Sequence, residues 1–209
     1  NKNFILAACD KINNALAILL NNKKTTILAK DQPECSSLPL KSPCLLAIDL
    51  LAIIDFFTNN TPLIKPTYQE IKSEPSKQPF IINQPLGQQA INLAAVGGHN
   101  LRLIGPPGCG KSLLAKSLSS LLPALSETEL LTCSAIKQAA QFQTSFDPKP
   151  AFIAPHHSIT QAGLIGGGSP IKPGAISLAH KGVLFLDEIT EISRSKLEAL
   201  REPLEAKKI

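Results

Sequence analysis

The stretch GPPGCGKS at 105–112 limits what this chain can fold into more than any other. It fits G-x-x-x-x-G-K-[S/T]. It follows NLRLIG, read as a short buried strand, and it opens KSLLAKSLSSLLP, read as a helix. Strand, glycine-rich loop and helix in that order form a phosphate cradle. Gly105, Gly108 and Gly110 let the backbone turn its N–H groups inward, and the helix N-terminus adds positive potential. The expected nucleotide-binding set is therefore Gly105, Pro106, Pro107, Gly108, Cys109, Gly110, Lys111, Ser112 and Leu113. Lys111 reaches the β and γ phosphates and is a catalytic candidate. Ser112 ligates Mg²⁺, so the expected ligands are ATP and Mg²⁺.

A cradle alone binds, whereas hydrolysis needs carboxylates for the metal and for water. The run GVLFLDE at 182–188 supplies both at the end of an apolar stretch that fits a central parallel strand. Asp187 is expected to hold Mg²⁺ through its water shell, and Glu188 to polarise the attacking water. Without the upstream loop, the same Asp-Glu pair would serve equally well as a helix cap.

Around these motifs the pattern alternates. GQQAINLAAVGG reads as a helix closed by Gly97 and Gly98. The helix after the loop carries Leu113, Leu114, Leu118, Leu121 and Leu122 on one face and stops at Pro123. SRSKLEALREPLE reads as a helix with a Ser195/Glu198 capping box, broken or bent at Pro203. This is an α/β fold with a parallel sheet over 80–209. Residues 1–57 contain two helical spacings, ACDKINNALAILL and LLAIDLLAIIDFF, and form a small α/β unit. Residues 58–79 are polar and carry four prolines, and are read as a linker.

Composition excludes more than it selects. Apolar residues make up 44% and charged residues 18%, which suits a packed chain. The net charge of +5 is spread along the length and permits nucleic-acid binding without arguing for it. Cys9, Cys35, Cys44, Cys109 and Cys133 are odd in number and lack a C-x-x-C pair, so free thiols in a reducing cytoplasm are expected. The most apolar run, 45–57, is interrupted by Asp49 and Asp55 and falls short of a bilayer span. The absence of any methionine is read as marking an internal piece of a longer protein.

The interval between Lys111 and Asp187 far exceeds what a strand-to-strand crossover needs, so an insertion is expected. It contains APHHSITQAGLIGGG at 154–168. Metal ligation by His156 and His157 lacks further ligands at set spacing, with only His180 in reach. A second cradle in GLIGGGSP lacks the lysine and helix start. A flexible turn or hairpin tip fits best.

Taken together, GGHNLRLIGPPGCGKS, APHHSITQAGLIGGGSPIKPGAISLAHKGVLFLDE and SRSKLEALREPLE resemble the magnesium-chelatase-like AAA+ ATPases, most closely the ComM/YifB branch. The resemblance implies a P-loop NTPase core with helices on both faces of its sheet. It makes 154–174 an inserted contact hairpin, and puts Ile82 to Gly87 near adenine. It also implies that 1–57 is the remnant of a Lon-protease-like domain. Cys109 stands where the family usually has Thr or Ser, and the chain stops before the family's sensors, arginine finger and lid.

The function implied is ATP hydrolysis by a ring motor, a self-assembled hexamer acting on DNA in branch migration during recombination or transformation. Lys137, Lys149, Lys172 and Lys181 against Asp147 give the insert region a local positive excess compatible with phosphate contacts. A metal-chelatase motor subunit, or a remnant that only binds nucleotide, are the alternatives.

Overall fold

A computed structural model describes residues 4–7, 25–30, 44–65, 84–140 and 147–206. The chain divides into two compact units, Asn1–Lys72 with Ser126–Pro148, and Ser73–Leu125 with Lys149–Ile209.

The first unit is built on three parallel strands, β1 (Phe4–Ala7), β2 (Thr25–Ala29) and β3 (Cys44–Ala47), in that order across the sheet. In the central strand Thr26, Ile27 and Leu28 are consecutively buried, the signature of a strand covered on both faces. Helix α1 (Leu50–Thr58) packs Ile53 against Ile27 and Ala47. The run 45–57 is thus not one helix, because Asp49 divides it. Its carboxylate accepts the Ala52 N–H at 2.7 Å, capping α1, while Leu45 to Ala47 join the sheet. Beyond α1, Ile64 exchanges two backbone hydrogen bonds with Leu46, at 2.7 and 3.2 Å. Helix α2 (Glu127–Ala139) opens with a capping box between Ser126 and Glu129 and buries Leu130, Leu131, Cys133 and Ala135. The helix expected over 8–20 lies outside the described residues.

The second unit begins with α3 (Pro85–Gly97). Proline starts it and Gly98, at φ 60°, ends it in the left-handed conformation. Helix α4 (Lys111–Leu121) lies close against it, since a Cβ on Gly87 would come within 3.0 Å of Leu114. Two short strands, β4 (Phe152–Ile153) and β5 (Val183–Leu184), pair in parallel, with Ile153 opposite Leu184. The approach is tight: a Cβ on Gly182 would sit 2.2 Å from the Ala151 carbonyl oxygen, so only glycine fits there. Phe152 and Phe185 stack with centroids 5.8 Å apart.

Between these strands the chain makes α5 (Gln161–Ile165), capped by the Thr160 hydroxyl. An antiparallel hairpin follows, β6 (Gly166–Gly167) with β7 (Lys172–Pro173), and then α6 (Ala175–Leu178). Leu164 is completely buried in a cluster with Ala175 and Leu200, packed by Ile153 and Leu184 among others.

Two local expectations are corrected. Residues 101–104 form no strand; Leu101 and Leu103, with β5 and α4, line a cavity of about 360 Å³, and Ile104 is exposed. The last helix starts after Ser193 without a side-chain cap and divides into α7 (Arg194–Ala199) and α8 (Arg201–Ala206). The break precedes Pro203, which has no N–H to offer the carbonyl four residues back at Ala199. Among the described residues no helix is long and apolar enough to cross a membrane.

Leu164→Ala should destabilise the second unit by about 2–5 kcal/mol, the cost of a leucine-sized void in a closed cluster. An unchanged urea midpoint would show that the cluster does not hold the unit together.

Candidate nucleotide-binding site

The loop 105–110 is shaped by its glycines. Gly108 and Gly110 take φ 77° and 82°, a region that costs an L residue about 1–2 kcal/mol. Gly110 is the N-cap of α4, and no side chain caps that helix. Its first N–H groups therefore remain available to an acceptor in front of the helix. Gly105, Pro106, Pro107 and Gly108 are exposed, as are Ser112 and Leu113, while Leu114 faces the interior. Lys111 folds back over the loop. Its Nζ donates to the Gly105 carbonyl at 3.0 Å and the Pro106 carbonyl at 2.8 Å, and lies 3.7 Å from the half-buried Cys109 Sγ.

One contributor was missed in the sequence. Gln84, just before α3, donates its side-chain amide to the Cys109 carbonyl and ties that helix to the loop. The only signal for it was its place among residues 82–87.

The residues fit a magnesium nucleotide. A backbone curled by two left-handed glycines, an uncapped helix start and a lysine already bonded to oxygen atoms make an anion cradle. Ser112 is exposed at the helix start, where its hydroxyl is open to a cation.

Asp187 and Glu188 stand exposed past the end of β5. The Glu188 N–H donates to Asp187 Oδ1 at 3.0 Å, and Glu188 takes φ 47°, a left-handed conformation unusual for a residue with a side chain. Two further residues meet it. His157 places Nδ1 3.4 Å from a Glu188 carboxylate oxygen and Nε2 3.7 Å from one of Glu191. The ligand-capable atoms of these three lie within 4.8 Å of one another. His156 is engaged elsewhere, its Nδ1 2.8 Å from the Ser158 hydroxyl, although the two rings lie 3.9 Å apart. His180 does not join this group.

The insert divides in two. Leu164 and Gly174 are buried, whereas 168–172 are exposed at the tip, with Ile171 85% accessible. Of the charges expected to gather here, Lys149, Lys172 and Lys181 belong to the second unit, and Lys137 and Asp147 to the first.

Residues 79–209 match the magnesium chelatase family, subunit ChlI. The chain is 40% identical over 195 residues to the YifB protein of Escherichia coli, covering 91% of this chain and 38% of that protein. It is 37% identical over 206 residues to the competence protein ComM of Haemophilus influenzae, covering 93% of this chain and 40% of that one. Similarity to Lon protease 2 of Bacillus subtilis is 31% over 162 residues, 70% of this chain and 28% of the protease. The chain thus spans about two fifths of the length of the YifB and ComM proteins.

Cys109 Sγ lies 3.7 Å from the Lys111 ammonium, so a group alkylated onto it would crowd the loop where phosphates are expected. Mass spectrometry should find Cys109 protected by Mg-ATP, and the alkylated protein should no longer bind ATP. Labelling that ignores nucleotide would place the phosphates elsewhere.

Proposed function

The chain belongs to the magnesium chelatase ChlI family and its ComM/YifB branch, and on that premise we propose that it is the nucleotide-binding core of an AAA+ ATPase motor that acts on DNA. The observation that carries the reading is the cradle itself: Gly108 and Gly110 in left-handed conformations before an uncapped helix, with Lys111 folded over the loop.

In this reading the loop 105–110 and the first turn of α4 hold the ATP phosphates, and Lys111 exchanges its carbonyl partners for phosphate oxygens. Ser112, and Asp187 through a water shell, would hold Mg²⁺, which when bound supplies positive charge to offset that of the phosphates. Glu188 takes up the proton of the attacking water. The tip at 168–172 is the part of the insert that faces DNA, with Lys172 near a phosphate and the glycines allowing close approach. The complete protein assembles as a ring, a hexamer, in the cytoplasm.

The family's name leaves a second reading, a motor for metal insertion. The extent of the similarity favours the first. The ChlI match begins at residue 79, whereas the YifB and ComM similarities run over 91% and 93% of the chain and so include residues before it.

Lys111→Ala should weaken ATP binding at least tenfold by calorimetry, since it removes charge-assisted hydrogen bonds of about 1.5–3 kcal/mol. Equal affinities would sink the assignment. In the complete protein Glu188→Gln should bind ATP normally and hydrolyse it about 10²–10⁴ times more slowly.

At the tip, a double change of Ile171→Ser and Lys172→Glu should leave ATP affinity unaltered and lower DNA affinity in a salt-dependent way. Point changes at the tip leave Leu164 in the core, which a deletion through 163–169 would remove. DNA binding that ignores the double change would take the tip out of the contact.

A further inference from the structure

We propose that His157, Glu188 and Glu191 form a binding site for a zinc-type divalent ion, separate from the magnesium of the nucleotide, and that an ion there stops hydrolysis without displacing ATP. The site stands on the geometry of its donors; its effect on hydrolysis rests on the reading of Glu188 as the group that activates water.

The three donors come from two segments that lie far apart along the chain. His157 follows β4 and Glu188 follows β5, each four residues past the paired Ile153 and Leu184, 153 to 157 and 184 to 188. Glu191 joins from the turn that begins at Glu188, its N–H donating to the Glu188 carbonyl at 2.8 Å. One ligand atom from each of the three lies within 4.8 Å of the others. Zinc bonds of about 2.0–2.2 Å at tetrahedral angles put neighbouring donors about 3.3–3.6 Å apart. His157 Nδ1 and the Glu188 carboxylate oxygen, at 3.4 Å, already have that separation. Glu191 stands 3.7 Å from Nε2 of the same ring, and its exposed side chain has room to rotate onto the ion.

The donor set selects the metal. One imidazole nitrogen with two carboxylate oxygens suits zinc, whereas magnesium takes an octahedron of oxygens and keeps several waters. The neighbouring donors are engaged elsewhere: Asp187 Oδ1 accepts the Glu188 N–H at 3.0 Å, and His156 Nδ1 lies 2.8 Å from the Ser158 hydroxyl. Three protein donors leave a fourth position, which water can reach because both glutamates are exposed. A Glu188 oxygen bonded to the ion is no longer open to the attacking water. None of the three residues belongs to the loop 105–110 or to α4, so the phosphates keep their contacts.

The test uses the complete protein, dialysed free of metal. Calorimetry with zinc chloride should find a site in the wild type whose affinity falls at least about tenfold in both His157→Ala and Glu191→Gln. Cobalt(II) in place of zinc should give the visible spectrum of a four-coordinate ion with a nitrogen donor, and both variants should lose it. Under saturating Mg-ATP, zinc should lower wild-type turnover about tenfold or more with ATP affinity unchanged. Glu191→Gln should turn over normally without zinc and resist it when zinc is added. Equal zinc binding by all three proteins overturns the site, as does a cobalt spectrum that ignores both changes. Inhibition as strong in Glu191→Gln as in the wild type, or inhibition that works by displacing ATP, overturns the link to hydrolysis. Zinc that binds, is lost in both variants and leaves turnover untouched keeps the metal site and removes Glu188 from water activation instead.

Discussion

The pairing of two-residue strands, Phe152–Ile153 with Val183–Leu184, is the constraint on which the chemistry of the second unit depends. It is small, yet it joins segments separated by the whole insert. Everything around it acts to keep the register: Gly182 admits the Ala151 backbone, the Phe152 and Phe185 rings stack, and Leu164 seals the pair from one side. A slip of one residue would turn Asp187 and Glu188 away from their present neighbours, because side-chain direction alternates along a strand. The carboxylates thus depend for their aim on apolar contacts that never touch a ligand.

The loop before α4 is organised by a different kind of force. Its shape comes from backbone freedom at Gly108 and Gly110, and its anchorage from Gln84 and Lys111, which bond to loop carbonyls. Packing enters only behind it, where Leu114 meets α3 at Gly87. The second unit therefore holds its glycine loop by hydrogen bonds and the strand that precedes its carboxylates by apolar packing.

How much of this was legible in the sequence follows the same division. The glycine loop and the helices beside it could be read, since proline, glycine and leucine spacing act locally. Residues 101–104 could not: four apolar-leaning residues look like a buried strand, but strand formation needs a partner ladder, and here a cavity lies beside them. The run 45–57 hid a strand and a helix because both are apolar, and Asp49 read as an interruption when it was a cap. Leu164 was masked by the glycines around it. The meeting of His157 with Glu188 was not legible at all, because it arises from register between distant segments. Spacing along the chain does not reveal Glu191, which meets His157 only in the fold.

Lys111 is already satisfied before any anion arrives, holding two carbonyls of its own loop. An incoming ion must displace an incumbent. A single chloride or a lone carboxylate returns at most one strong bond for the two it breaks, whereas a polyphosphate offers several oxygens to the ammonium and to the helix N–H groups together. In the proposed reading the self-bonded lysine therefore favours a ligand with several oxygens over a simple anion.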